Sequence, residues 1–442
     1  MRIKRLLAAG MAIIMCVVFT AGCGNSGSSA DKSSAGTSKT TSTTNSSSSE
    51  NEKPVTLKVL AGQSTTDAGI EKMVDKALAK KYPNIKLEWE CVDWGKDFQP
   101  KMQVYMQSGL PDIMIGKAQD VITYGSQGVL GDLTGKKCLS EVMDAAKTGV
   151  TLNGKTLGLT YNALYQGVYY NRDLFKKYKV EIPTTQAELQ TAIDTFKKNG
   201  ITPFGTHLSD TWSIGNVTMQ FAVNEVFNKT PDWGDQFRAG KVSFQTSPEY
   251  KKCYEYNKLL YDNTWKDQAF STEQTACDAK IVQGKAAMKV SGSWSIQNFL
   301  NIDENFDFGI FPFPNSTGNA KLLFEPNITL MKSAKSEYSD AIDKVFEVIG
   351  TDKDLALEIC NFTKTASMLK NVIPTFPNPS QTDIDKYVAR GQIQDVNLGN
   401  NQLKWGGFQE ENAKDIAEYL QGKITVEEAL KAADSRKANS KA

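Results

Sequence analysis

A chain of 442 residues with 40% hydrophobic content can bury a large core, and its length suggests about two or three compact units. Fifty-one basic residues against fifty acidic ones leave a net charge of +1, so no charge excess draws the chain onto nucleic acid or an anionic membrane. The single histidine, His207, rules out a three-histidine metal site or an H-E-x-x-H helix, and no G-x-S-x-G segment offers it a serine partner.

The first elements are those of export. Arg2, Lys4 and Arg5 precede an apolar run from Leu6 to Phe19, too short to span a bilayer and laid out as a secretory signal. Ala21, Gly22 and Cys23 then resemble a bacterial lipobox, with Thr20 where Leu is usual. Residues 1–22 read as a lipoprotein signal and Cys23 as the lipidated mature N-terminus. From Gly24 to Lys53 the chain is Ser, Thr, Gly, Asn and scattered charge, which cannot bury enough surface to offset chain entropy. Residues 23–53 are therefore expected to be a tether, and no later stretch is long and apolar enough to span. Membrane contact is expected through the lipid alone.

The remaining cysteines, Cys91, Cys138, Cys253, Cys277 and Cys360, are odd in number and contain no C-x-x-C. They read as small buried hydrophobes, with a Cys253 to Cys277 bridge left open. Asp303, Asn305 and Asp307 in NIDENFDF lack the Gly and final Glu of a calcium loop and read as a turn. No cofactor or metal is expected, and the chain is read as lacking both G-x-G-x-x-G and the phosphate-loop pattern, so nucleotide binding is not expected either.

In the body, VTLKVLAG alternates as a first strand, IEKMVDKALAKKYP is an amphipathic helix stopped by Pro83, and IKLEWECV is a second strand. A helix around Phe98 to Ser108 and a short buried strand, PDIMIG, follow. Strand and helix in alternation build α/β units with ligands at the carboxyl ends of strands, so the loops QSTTDAG, DWGKD and GKAQD are candidate contacts. GVYY is a strand and NRDLFKKY a short helix. Thr184 or Thr185 caps a helix to Lys198 that Gly200 ends. Helices are expected over 217–228 and 248–262, then strands in AAMKVSG, FDFGIFPFP and LLFEPNITLMK, with helices dominating to the C-terminus.

Taken in order, PDIMIG with SQGVLGDLT, GVYYNRDLFKKY with IPTTQAEL and GITPF, RAGKVSFQTSPEY, QGKAAMKVSGSW, FGIFPFP and QGKITVEEAL resemble the extracellular solute-binding proteins of ABC importers. The resemblance is to the sugar-binding family that includes maltodextrin-binding proteins, and it runs from Val55 to Ala433. It implies an α/β, two-lobed periplasmic-binding-protein type II fold with a ligand cleft between lobes. One lobe would hold residues 54–163 and 322–368, the other 164–321 and 369–442. Hinges are implied at Tyr161 to Gln166, Pro312 to Leu323 and Thr363 to Val372.

The resemblance also implies site residues. A sugar offers hydroxyl edges and a C–H face, so its receptor needs planar side chains to stack and carboxylates or amides for hydroxyls. Trp294, at the end of QGKAAMKVSGSW, falls where the family places a stacking aromatic. Trp212 falls beside the cleft or covers the helix beginning near Ile214; Asp210 either meets a hydroxyl or caps that helix. Trp405 is placed as a third aromatic, and Tyr161 and Tyr165 lie at the first hinge. Asp93 and Trp94 follow the second strand, Gln119 or Asp120 follows PDIMIG, and Glu325 and Asn327 flank Pro326 at the second crossing; each of these polar groups is either a contact or a solvated loop residue. Trp233 and Trp265 read as structural.

The implied function is capture of a carbohydrate, expected to be an oligosaccharide, and its delivery to the permease subunits of an ABC importer. The protein would be a monomer on the outer face of a bacterial membrane, in a cell without an outer membrane. Departures around GKAQD argue against maltose specifically. Two alternatives stand: the same fold binding an amino acid, peptide or polyamine, or a secreted glycoside hydrolase with paired carboxylates.

Overall fold

A computed structural model describes residues 53–63, 68–94, 97–396 and 408–437. The proposed signal, the tether with Cys23, and Trp405 lie outside the described residues.

Two sheets organise the body. The first half of the chain runs β1 (Val55–Gln63), α1 (Ile70–Lys81), β2 (Ile85–Asp93), α2 (Phe98–Ser108), β3 (Ile113–Lys117), α3 (Ala118–Gly125), α4 (Asp144–Thr148), β4 (Thr151–Leu152), β5 (Lys155–Thr156) and β6 (Leu159–Thr160). The chain continues with β7 (Asn162–Asn171), α5 (Arg172–Tyr178), α6 (Gln186–Lys198), β8 (Thr202–Phe204), α7 (Thr211–Ala222), α8 (Trp233–Arg238), α9 (Pro248–Asp262), α10 (Gln274–Val282), β9 (Ala286–Gly292), α11 (Ile296–Ile302) and β10 (Phe308–Phe311). It ends with β11 (Leu322–Pro326), β12 (Ile328–Lys332), α12 (Ser339–Thr351), α13 (Lys353–Thr363), β13 (Ala366–Ser367), α14 (Gln381–Ala389), β14 (Ile393–Asp395), α15 (Phe408–Leu420) and α16 (Val426–Ser435).

The first sheet has the order β2-β1-β3-β12-β6, with β1 parallel to β2 and β3 and β12 antiparallel. Alternation in the sequence sends Leu57 and Val59 to one apolar cluster and Leu60 to another, so helices cover both faces. The second sheet has the order β14-β11-β7-β9-β8, with β10 and β13 also pairing β7. Here Val168 and Tyr170 face one cluster and Tyr169 the other. β7 runs antiparallel to β9, β10 and β11, so this sheet is not the parallel one that simple strand and helix alternation suggests.

Local chemistry sets the helix starts. Thr185, not Thr184, is the N-cap of α6, where its hydroxyl accepts from Glu188 N at 3.2 Å and Glu188 returns a bond to Thr185 N at 3.1 Å. Asn171 caps α5 through Leu174 N at 3.0 Å, and Gly200, at φ 73°, takes the left-handed turn after α6. The helix expected over 217–228 starts earlier, at Thr211, and passes into a π-helical turn, Val223–Phe227.

Three further expectations change. LLFEPNITLMK is two strands, because β11 pairs with β7 and β14 in the second sheet while β12 pairs with β3 and β6 in the first. The chain therefore changes sheets around Asn327, at the crossing beside Pro326 and not at the hinge implied between Pro312 and Leu323. Cys253 and Cys277 form no bridge; both are buried free thiols, and burial pushes the Cys277 thiol up to about 12. Finally, Gly149 to Thr156 carries the G-x-x-x-x-G-K-T spacing of a phosphate loop, against the expectation of no nucleotide motif. It folds as the β4–β5 hairpin, with Asn153 and Gly154 at φ 51° and 78° in its turn. No helix begins at Thr156, so the helix N-terminal amides that cradle phosphate are not supplied.

Candidate functional site

The small polar residues around Trp294 anchor its turn. The residues Ser293–Ser295 form a single 3-10 turn where β9 meets α11. Ser293 Oγ accepts from Tyr165 N at 2.9 Å, which fixes one flank to β7. On the other flank, Ser295 Oγ shares a hydrogen bond with Ser291 at 2.9 Å and accepts from Lys289 Nζ at 3.3 Å. Gly292 leaves room for the ring: a Cβ there would lie 2.1 Å from Trp294 Cζ3. The half-buried indole thus lies against strand backbone, with its Nε1 covered and unpartnered.

Trp212, the second residue of α7, meets Trp294 edge-on with centroids 6.1 Å apart. His207 follows at 5.5 Å from Trp212. It lies in the loop after β8 and is buried, and burial, helped by the charge of Lys289, holds its imidazole well below the usual histidine range. At neutral pH it is uncharged. Asp210 occupies the N-cap position of α7, yet its carboxylate makes no capping bond; Ser209 Oγ donates to it at 3.4 Å. Tyr165 is half-buried and packs on Phe324, 5.4 Å between centroids.

A second indole sits at the carboxyl end of the first sheet in the same manner. A Cβ on Gly62 would fall 2.1 Å from Trp94 Cε3, so this ring too rests on a strand-terminal glycine. Lys117 Nζ lies 5.6 Å from its centroid and Phe98 packs at 5.6 Å. Trp94, Gly62, Gln63, Glu71 and Tyr161 line one concavity here. Asp93 ends β2, exposed, beside Gln63.

Gln119 and Asp120, offered as alternatives, differ. Asp120 is buried, accepting from Lys117 N at 2.8 Å and Gln99 Nε2 at 2.9 Å, and desolvation raises its carboxyl above the ordinary range. It is committed to closing the start of α3. Gln119 is half-buried, with a covered Oε1 that has no partner. Glu410, on α15, is near enough to add its charge to the field at Asp120, a neighbour that no local pattern around Asp120 foretells.

The residues at the crossings are buried. Tyr161 belongs to the first sheet's core, and Glu325 accepts from Gln166 Nε2. Asn327 donates through its backbone to Asn162 O at 3.0 Å and accepts from Ala118 N at 3.0 Å. Asn162, unremarked in the sequence reading, joins all three crossings. Its Oδ1 accepts from Ile328 N at 2.9 Å, its Nδ2 donates to Thr365 Oγ1 at 3.4 Å, and it pairs with Ser367 in β13. Trp233 is buried among Phe237, Phe244 and Tyr250, and Trp265 carries Lys280 Nζ at 3.9 Å from its centroid. Among the described residues no group of His, Cys, Asp and Glu is arranged to hold a metal ion.

Two α/β sheets with separate cores, a chain whose described residues pass between them three times, and aromatic rings at strand ends define a two-lobed solute receptor. The model of the bacterial extracellular solute-binding protein family matches residues 61–355, and the chain belongs to that family. It is 24% identical over 311 residues to the multiple sugar-binding protein of Streptococcus mutans, covering 68% of this chain and 72% of that one. It is 25% identical over 299 residues to the melibiose/raffinose/stachyose-binding protein MelE of Bacillus subtilis, covering 65% and 64%. Among solved structures, a chitin oligosaccharide binding protein superposes with a TM-score of 0.74 at 19% identity, covering 88% of this chain and 99% of that one. A sugar transporter from Bacillus licheniformis in complex with stachyose gives 0.73 at 16%, covering 88% and 100%. Such identities carry the fold, which is the two-lobed one, and the family is one of binding proteins rather than enzymes.

Proposed function

We propose that this protein captures an oligosaccharide outside the cell and presents it to the permease of an ABC importer, held to the membrane by a lipid on Cys23 and acting as a monomer. The observation that carries the ligand class is the Trp212–Trp294 pair, two indoles 6.1 Å apart just past the carboxyl end of β9. Indole faces stack on the C–H faces of sugars, and Asp210 and Tyr165 stand on the neighbouring elements to meet hydroxyls. The sugar-binding relatives and stachyose-bound neighbour agree with this class. Trp94, Gln119 and Asp93 supply the first lobe's contacts on this reading. Trp405, outside the described residues, remains a third aromatic in the proposal. The lobes divide where the sheets exchange chain, at Asn162, at Asn327 and at the segment carrying β13.

A thermal-shift screen of residues 24–442 against mono- and oligosaccharides, with amino acids and polyamines as controls, tests the proposal. A ligand at about a hundred times its Kd stabilises the native state by about 2.7 kcal/mol, a shift of a few degrees for a body this size. A sugar-specific shift lost in Trp294→Ala is expected. A shift with only an amino acid or polyamine would overturn the carbohydrate reading and leave the family untouched.

A further inference from the structure

We propose that Lys289 and Asp278, an ion pair sealed beneath the Trp294 turn, are positioning residues that set the indole for stacking; the ligand half of this rests on the sugar-binding reading. Lys289, on β9, is 1% exposed and Asp278, on α10, is 0% exposed. Lys289 Nζ pairs with Asp278 Oδ1 and donates to Ser295 Oγ at 3.3 Å, while Asp278 Oδ2 accepts from Asn298 Nδ2 at 2.9 Å. Ser291 closes the network through Ser295 at 2.9 Å. One carboxylate and one ammonium thereby tie together β9, α10, α11 and the turn that carries Trp294.

Stability alone does not account for this arrangement. Desolvating each ion is costly, and apolar replacements of such pairs are often neutral or stabilising. What the pair adds is direction. A salt bridge with fixed donors places Ser295 at one point, as Tyr165 places Ser293, and the three-residue turn between them has little freedom left. The indole is then pressed between Gly292 and Trp212, with its orientation set from below. An apolar filling would keep the volume and release the turn.

The test is Lys289→Met combined with Asp278→Leu, which removes both charges and leaves neither unpaired. Emission from Trp294, isolated by subtracting the matched Trp294→Phe chain, is read first and without ligand. The expected result is a melting temperature no lower than that of the parent, with Trp294 emission shifted to the red and more readily quenched by acrylamide. Stachyose is the second probe: its affinity should fall about tenfold in the paired variant and show no further fall when Trp294→Ala is already present. Unchanged emission and quenching, or an equal loss of affinity in both backgrounds, would overturn the proposal. Should the paired variant fail to fold, Lys289→Arg keeps the charge and moves its donors, and is read in the same way. Failure of the parent to bind any sugar in the screen would count against the carbohydrate reading, while the emission measurement still decides the positioning role.

Discussion

Trp294 shows how a residue is prepared by its neighbours. Its ring rests where Gly292 has no side chain, and Ser293 and Ser295 each anchor the backbone beside it. Gly292→Ala is therefore a way to move the indole without removing it. A Cβ 2.1 Å from the ring forces the indole off the strand, while φ at this residue, −135°, is open to alanine. Stacking geometry should suffer and backbone strain should not. We expect sugar affinity, measured by calorimetry, to fall about tenfold, a loss of about 1.4 kcal/mol, approaching that of Trp294→Ala. Affinity equal to the parent's would mean that the ring does not contact ligand from this position. Trp94 on Gly62 repeats the device at the end of β1, but there the glycine comes from a different strand, whereas Gly292 is two residues from Trp294 in the sequence.

Among the elements, the crossings carry the mechanical load. Asn162 holds the strand after β6, the start of β12 and the segment before β13 with one buried side chain and its own backbone. Asn162→Ala would leave the Ile328 N–H without its acceptor, at a cost of about 1 to 3 kcal/mol. Urea unfolding should report a loss in that range with no change in m-value, and an unaltered midpoint would show that the crossings are held by other bonds. Much of this architecture is legible in the sequence. The strands β1, β2, β3 and β9 and the helices α1, α2 and α9 follow from periodicity and caps, since each closes its pattern within about a dozen residues. The partition of LLFEPNITLMK is not, because the break at Glu325, Pro326 and Asn327 does not say which sheet either half joins, and only pairing partners far along the chain decide that Leu323 meets Gln166 while Leu330 meets Leu159. The same holds for the site. Trp294 is flagged by its motif and its glycine, whereas burial of Asp120, His207 and Glu325 depends on elements dozens to hundreds of residues away. A carboxylate on a loop reads the same in sequence whether it faces water or Gln99.

At the scale of the whole molecule, each sheet packs its own apolar clusters, and among the described residues the chain passes between them at three places, so each lobe has what it needs to move as a body. Contacts made to one lobe alone bind a ligand equally well whether the lobes are apart or together, and a ligand with equal affinity for two states shifts neither. Moving an equilibrium from 1:99 to 99:1 in favour of the shut form takes about 5.5 kcal/mol of differential binding. On the proposed reading Trp212 and Trp294 hold the sugar in either state, and the differential part must come from the first lobe, where Trp94 lies against Gly62 with Lys117 beside it. Trp94→Ala should accordingly separate binding from closure. Small-angle X-ray scattering on the parent should show the radius of gyration falling as the sugar found by the screen is added to saturation. In Trp94→Ala, saturated at higher sugar concentration, the fall should be smaller or lost although Trp294 emission still reports occupancy. Full closure of the variant would place the differential contacts elsewhere in the first lobe, on Gln119 or Asp93, and would remove Trp94 from the mechanism.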